Sequence, residues 1–202
     1  MLVARRGLPI VRPPIAIGLV VEGEKREARY FEQAVLNRTS VASWTLHSAN
    51  GGDPTSLYTK ALEISKDLDQ VFIVADADRC PPNCSESEAE NWERLREHCT
   101  GPDFHLILTF PCVEAWFLMH FTDDFPSVPL GEQGSYSSFC DPFKQELKLW
   151  YPNLDRRPVE DWANLRPLLA HAVVRSRAST SKKLKPAVWS EMHLLMKELG
   201  HC

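Results

Sequence analysis

Continuous apolar runs alternate with helix-period segments along the first half of the chain. Ile15-Ala-Ile-Gly-Leu-Val-Val21 is apolar throughout, as a strand covered on both faces of a sheet requires. Between Glu24 and Leu36, the residues Ala28, Phe31, Ala34 and Val35 recur at helical intervals. Val41 to Ser48 reads as a second strand, ending at the turn Asn50-Gly51-Gly52-Asp53. Asp53 or Thr55 caps a helix running to about Leu68, with Leu57, Ala61, Leu62 and Ile64 facing inward. Gln70 to Ala75 is a third buried strand that runs straight into Asp76. A loop containing Pro81 and Pro82 leads to a charged helix over roughly Glu86 to His98; Phe104 to Thr109 is a fourth strand, and Val113 to Phe121 an apolar helix or short helical turn. Strands and helices alternating over short connections predict right-handed βαβ units and a mainly parallel sheet, an α/β fold.

The pattern changes after Asp123. Asp124 to Cys140 is rich in Pro, Gly and Ser and reads as a long loop. Helical stretches are predicted at Pro142–Trp150, Val159–Ser176 and Pro186–Leu199, with a basic, polar and mobile connection from Arg175 to Lys185. Trp116, Trp150, Trp162 and Trp189 sit in apolar helical contexts, which predicts core positions for them. The chain thus divides into a basic arm over residues 1–13, an α/β core over 14–122, a loop over 123–140 and a helical extension over 141–202 packed on the core. It contains no internal repeat.

Composition narrows the class without choosing a function. The 202 residues are 44% hydrophobic and 25% charged, ordinary for a globular protein with a substantial core. No apolar run approaches the ~18–20 residues needed to cross a bilayer. The start carries Arg5, Arg6 and Arg12 but is broken by three prolines and lacks the apolar stretch of a secretory signal, so a cytoplasmic location is expected. Six cysteines in such a setting are read as reduced thiols. A net charge of −4 supplies no global field for polyanions, so any nucleic acid must be held by local basic groups or by metal.

Two segments carry the chemistry. Val20-Val21-Glu22-Gly23-Glu24 sets a carboxylate just past the first strand, where a glycine permits a tight turn. Val74-Ala75-Asp76-Ala77-Asp78 sets two more just past the third strand. Ligands of open α/β sheets bind beyond the carboxyl ends of the strands, so the three side chains converge if the strands are neighbours. Carboxylates crowded in this way repel one another and call for a cation. Mg²⁺ suits them, because it prefers hard oxygen ligands and shares them with substrate phosphates; Mn²⁺ is a possible substitute. The plainer alternative is that Asp76 and Asp78 cap the following turn.

These residues carry a family resemblance. Glu22-Gly23-Glu24-Lys25, with Glu27 and Tyr30-Phe31, resembles the first motif of TOPRIM domains in the EGExTExxYF form of RloB-type proteins, relatives of the OLD nucleases. Val71 to Asp78 resembles the second motif, and Thr109-Phe-Pro-Cys-Val-Glu-Ala-Trp-Phe-Leu-Met-His120 is similar to the SNPxFExWxxxH element of that group. The resemblance implies a TOPRIM-like core in which Glu22 is a metal ligand or general base and Asp76 and Asp78 are metal ligands. By the same carry-over, Glu27 serves a second metal or its surroundings, and Gly23, Glu114 and His120 support the site. It also implies an anti-phage nuclease working beside an ABC-type ATPase. This sequence contains no GxxxxGK[ST] loop, so that ATPase is expected on another polypeptide. Arg26 stands where the motif has Thr, and Phe110 where it has Asn.

Other polar residues have weaker claims. Glu24 fits the first turn of a helix, where the macrodipole favours anions. Arg79 adjoins the acidic pair and suits either a bidentate phosphate contact or a surface ion pair. Glu114 lies in an apolar setting and needs a partner; His120 reads as a satisfied core histidine. Cys80, Cys84, His98 and Cys99 suggest a zinc clip, but no second cysteine pair follows, and reduced thiols are favoured. Arg175, Arg177, Lys182, Lys183 and Lys185 form the densest basic stretch, suited to phosphate backbones or simply to solvent.

The expected activity is Mg²⁺-dependent phosphodiester hydrolysis in DNA or RNA, with a non-catalytic binding or regulatory subunit as the alternative. Glycosyltransferase and aspartyl-phosphatase readings of the Asp-x-Asp pair leave Glu22-Gly23 or Cys80 unexplained. No membrane partner is expected.

Overall fold

A computed structural model describes residues 15–39, 43–81, 84–126, 137–152, 159–181 and 188–201. Five strands form one sheet in the order β2-β1-β3-β4-β5: β1 Ala16–Val21, β2 Ser43–Ser48, β3 Gln70–Asp76, β4 Phe104–Phe110 and β5 Trp189–Ser190. The first four are parallel and β5 is antiparallel to β4. The mixed α/β fold is therefore the one the alternating pattern predicts.

Side-chain alternation along the strands separates two cores. Leu19 and Val21 of β1, with Phe72 and Val74 of β3, face one side; Val20, Val71, Ile73 and Ala75 face the other. The second side is covered by α1 (Pro54–Ile64) and α2 (Glu86–His98), through residues such as Leu57, Ala61, Trp92 and Leu95. Both helices start on sound caps. Asp53 accepts from Ser56 N–H at 2.9 Å, and Ser85 forms a reciprocal capping box with Glu88.

The first side carries the remaining helices: α3 (Val113–Leu118), α4 (Ser137–Trp150), a 3₁₀ segment Val159–Leu168, α5 (Leu169–Ser181) and α6 (Met192–Glu198). Phe143, Leu147, Trp162, Leu169, Met192 and Leu195 join Leu19 and Phe72 in a single core there. Residues 24–38 also lie on this side, wound mainly in π-type turns, Glu24–Ala28 and Phe31–Val35, and ending in a 3₁₀ turn, Leu36–Arg38. The wider winding shows in Ala28 N–H, which donates to Gly23 C=O at 3.3 Å.

Several expectations are corrected. Residues 189–190 form a strand inside the stretch expected to be helical, because Trp189 and Ser190 pair with Phe110 and Thr109 on the open edge of β4. Helix α4 begins at Ser137, inside the expected loop, where Phe139 and Cys140 are buried. Helix α5 continues to Ser181, so Arg175 and Arg177 lie on a helix rather than on a loose connection. Leu62 is 44% exposed and Trp150 48% exposed, although both were expected inside; Trp150 instead stacks on Phe121 at 5.5 Å. Lys182, Lys183 and Lys185 lie outside the described residues, as do residues 1–14.

Candidate active site

Neighbouring β1 and β3 run in register with Val21 beside Val74, so Glu22 emerges next to the end of β3. Glu22 Oε1 accepts a hydrogen bond from Asp76 N–H at 2.7 Å. Asp76 Oδ1 in turn accepts from Val113 N–H at 2.7 Å, tying the carboxylate to the start of α3. Asp78 Oδ2 accepts from the Cys140 thiol at 3.6 Å. Glu22, Asp76 and Asp78 line one cleft of ≈290 Å³ together with Gly52, Arg79, Cys140 and Lys144. A larger cleft of ≈480 Å³, between Asp124–Pro126 and one face of α4, has Asp124 and Glu146 as its acidic lining residues among the described residues, and none of the predicted site residues among them.

The electrostatics follow from this crowding. Burial pushes the Glu22 carboxyl up to about 7; the charges of Glu27 and Asp78 add to that rise, and the Asp76 N–H and Arg79 oppose it. Asp76 is raised well above the usual carboxylate range, first by burial and then by Glu22, Glu114, Glu27 and Asp78. Asp78 is raised by burial, against the pull of the Cys140 thiol and Arg79. A metal-free cleft therefore holds protons to higher pH than free carboxylates do, and a divalent cation would compete with them.

Two glycines admit carboxylates at close range. The chain turns tightly from β1, ending at Val21, to the helical winding that starts at Glu24, but Gly23 has φ −120°, open to any residue, so the turn does not require glycine. A Cβ there would instead lie 2.6 Å from Glu27 Oε2. At Gly52 a Cβ would overlap Glu22 Oε2. Gly52→Ala is therefore expected to keep the fold but turn Glu22 away from Asp76 N–H. That change should weaken divalent-metal binding by roughly 10–100-fold, as loss of a supporting contact typically does. Isothermal titration with Mn²⁺ checks this, and unchanged affinity would contradict the role given to Gly52.

The other predicted residues separate into distinct places. Glu27 lies behind Gly23, outside the cleft lining, and its carboxyl is raised by burial and by the Glu114 charge. Glu114 is 3% exposed and forms an ion pair with Arg26, so Arg26 satisfies a buried carboxylate at the position where the motif has Thr. His120 belongs to the core: its Nε2 faces Tyr30 Oη at 3.1 Å, while Nδ1 faces the carbonyls of Trp116 and Phe117, each at 3.2 Å. Burial lowers it to about 4, keeping the ring neutral. Nδ1 then donates to the carbonyls and Nε2 accepts from the tyrosine.

Arg79 is exposed at the cleft, but Arg175 is turned elsewhere, its Nη1 donating to Met119 C=O at 2.8 Å. Arg177 is exposed on α5 and does not line the cleft. Cys80, Cys84, His98 and Cys99 form no metal-binding cluster among the described residues; His98 stacks on Tyr58 at 4.2 Å. Lys144 and Cys140 are additions that the sequence pattern did not single out, both carried to the cleft by α4. Their signal was one turn of helical spacing, hidden because α4 starts inside a Ser-rich stretch.

Fold and cleft define a mixed α/β protein with an acidic site beyond the carboxyl ends of two adjacent parallel strands. The model of the RloB-like protein family matches residues 17–199, and the chain belongs to that family. No curated protein and no solved structure matches it. No helix among the described residues is long and apolar enough to cross a membrane.

Proposed function

We propose that this protein is a Mg²⁺-dependent nuclease of TOPRIM type that hydrolyses phosphodiester bonds in DNA or RNA. The observation that carries the reading is the meeting of Glu22, Asp76 and Asp78 in one cleft, with raised carboxyl pKa values. The donor set fits the ion: several hard oxygens, crowded enough that a divalent cation relieves their repulsion. Glu22, Asp76 and Asp78 would hold Mg²⁺ or Mn²⁺, and Glu27 would support them or a second ion. A bound ion of this kind supplies water activation and charge neutralisation at a phosphate. Arg79 and Lys144, lining the same cleft, orient the substrate phosphate and offset its charge.

Family membership supports a further role as the effector of a bacterial anti-phage system beside a separate ABC-type ATPase. The alternative, a non-catalytic TOPRIM-like binding or regulatory subunit, draws on the Arg26–Glu114 ion pair, which commits a motif position to structure. Purified protein incubated with supercoiled DNA or structured RNA and Mg²⁺ or Mn²⁺ decides between them. Glu22→Gln is expected to reduce cleavage by on the order of 10²–10⁴-fold, the range for removing a group that moves or orients a proton in the reaction. Cleavage that persists in both Glu22→Gln and Asp76→Asn would remove these residues from the reaction. No cleavage of either substrate by wild-type protein favours the binding subunit.

A further inference from the structure

The proposed hard-oxygen site leaves two thiols beside it without a role. Cys112 follows β4 and is the N-cap of α3, with no side-chain capping hydrogen bond. Cys140 lies in α4, and both cysteines are buried, 0% and 4% exposed. One ligand atom each from Asp76, Cys112 and Cys140 falls within 4.8 Å of the others. Asp78 Oδ2 is a further 3.6 Å from Cys140 Sγ. Four potential ligands thus meet from the end of β3, the turn that follows it, the N-cap of α3 and the first turn of α4.

We propose that Cys112, Cys140 and Asp76, with Asp78 as the fourth ligand, form a site for a thiophilic divalent cation of the zinc class. Magnesium does not use sulfur ligands, whereas zinc takes thiolates at about 2.3 Å and carboxylates at about 2.0–2.2 Å in a tetrahedron. Ligand atoms of such a tetrahedron lie roughly 3.3–3.8 Å apart, so the Asp76, Cys112 and Cys140 atoms, all within 4.8 Å of one another, need to close by about an ångström. Binding converts two thiols to thiolates and releases their two protons to solvent. Lys144, in the same cleft, offsets part of the remaining negative charge. Zinc held there withdraws Asp76 and Asp78 from Mg²⁺, so zinc should inhibit cleavage. Only that last consequence rests on the nuclease reading.

The test uses the full chain, stripped of metal and titrated with Co²⁺ alone. Wild-type protein is expected to develop the near-ultraviolet sulfur-to-cobalt charge-transfer band at one equivalent, and Zn²⁺ should displace it. Cys112→Ser and Cys140→Ser should each lose most of the band. Serine is a favoured N-cap residue, so Cys112→Ser leaves the start of α3 supported. The triple variant Cys80→Ser/Cys84→Ser/Cys99→Ser should keep the band. Glu22→Gln should keep it too while losing Mg²⁺-dependent cleavage, which separates failure of this site from failure of the nuclease reading. A wild-type titration without the band overturns the proposal. So does a band that survives both Cys112→Ser and Cys140→Ser, or one that disappears in the triple variant.

Discussion

Asp76→Asn is expected to abolish metal-dependent cleavage and, in chelator at about pH 8, to make the protein more stable than wild type. The two effects have one origin. Asp76 is forced toward its protonated form by burial and by four neighbouring carboxylates, and Glu22 titrates at about 7. Between its ordinary value and its raised one, each group binds more protons in the folded chain than in the unfolded chain. Stability therefore falls as pH rises through that window, and the whole penalty is present above the folded value. For Glu22 the window runs from 4.5 to about 7.

Asparagine removes the charge but keeps an oxygen that can accept from Val113 N–H. Melting temperature should rise by roughly 2–4 °C for each kcal/mol of repulsion relieved in a chain of this size. Mg²⁺ should stabilise the wild type at about pH 8 and leave Asp76→Asn nearly unaffected. His120 acts in the opposite direction at lower pH. Its value is lowered to about 4, so its contribution is lost as pH falls from 6.5 toward that value. The comparison that isolates the acidic cluster is therefore wild type against variant at the higher pH. Thermal melts in which Asp76→Asn is the less stable protein there would show that the cluster carries no repulsive load.

Arg26→Ala is expected to be the most destabilising single change near the site. It leaves Glu114, 3% exposed, without its cation. Removing one partner of a buried pair typically costs about 3–5 kcal/mol, and the partial exposure of Arg26 places this case near the lower end. The melting temperature should fall by roughly 6–12 °C. Adding Glu114→Gln to Arg26→Ala should recover part of the loss, because the orphaned charge disappears. A double variant less stable than Arg26→Ala would mean that Glu114 is held by contacts other than this ion pair.

The parts of the fold visible in the sequence are those with a strong local period. β1 and the interior of β3 are continuous apolar runs and β4 is mostly apolar, while the start of α2 is marked by Ser85 and Glu88, whose spacing forms a capping box. The neighbouring carboxylates were legible as well, since a carboxylate directly after a buried strand can only emerge at the sheet edge. What escaped depends on distance along the chain. β5 has two residues, too few for any period, and exists only because β4 offers it an edge. The Arg26–Glu114 pair spans 88 positions, and the Cys140–Asp78 contact spans 62. No local pattern announces either. Lys144 was missed for the same reason, since its importance lies in where α4 docks rather than in its neighbours.

The attachment of β5 also has a consequence for the order in which the chain is made. Thr109 and Ser190 share a hydroxyl–hydroxyl hydrogen bond of 2.9 Å across 81 positions. The ribosome has therefore released β4 long before the segment that covers its edge exists. Over that interval the nascent sheet presents unpaired backbone groups beside Phe110, a template for pairing with another chain. A stall or premature stop between these two strands should yield an aggregation-prone product, even though all three acidic residues of the cleft have already been translated.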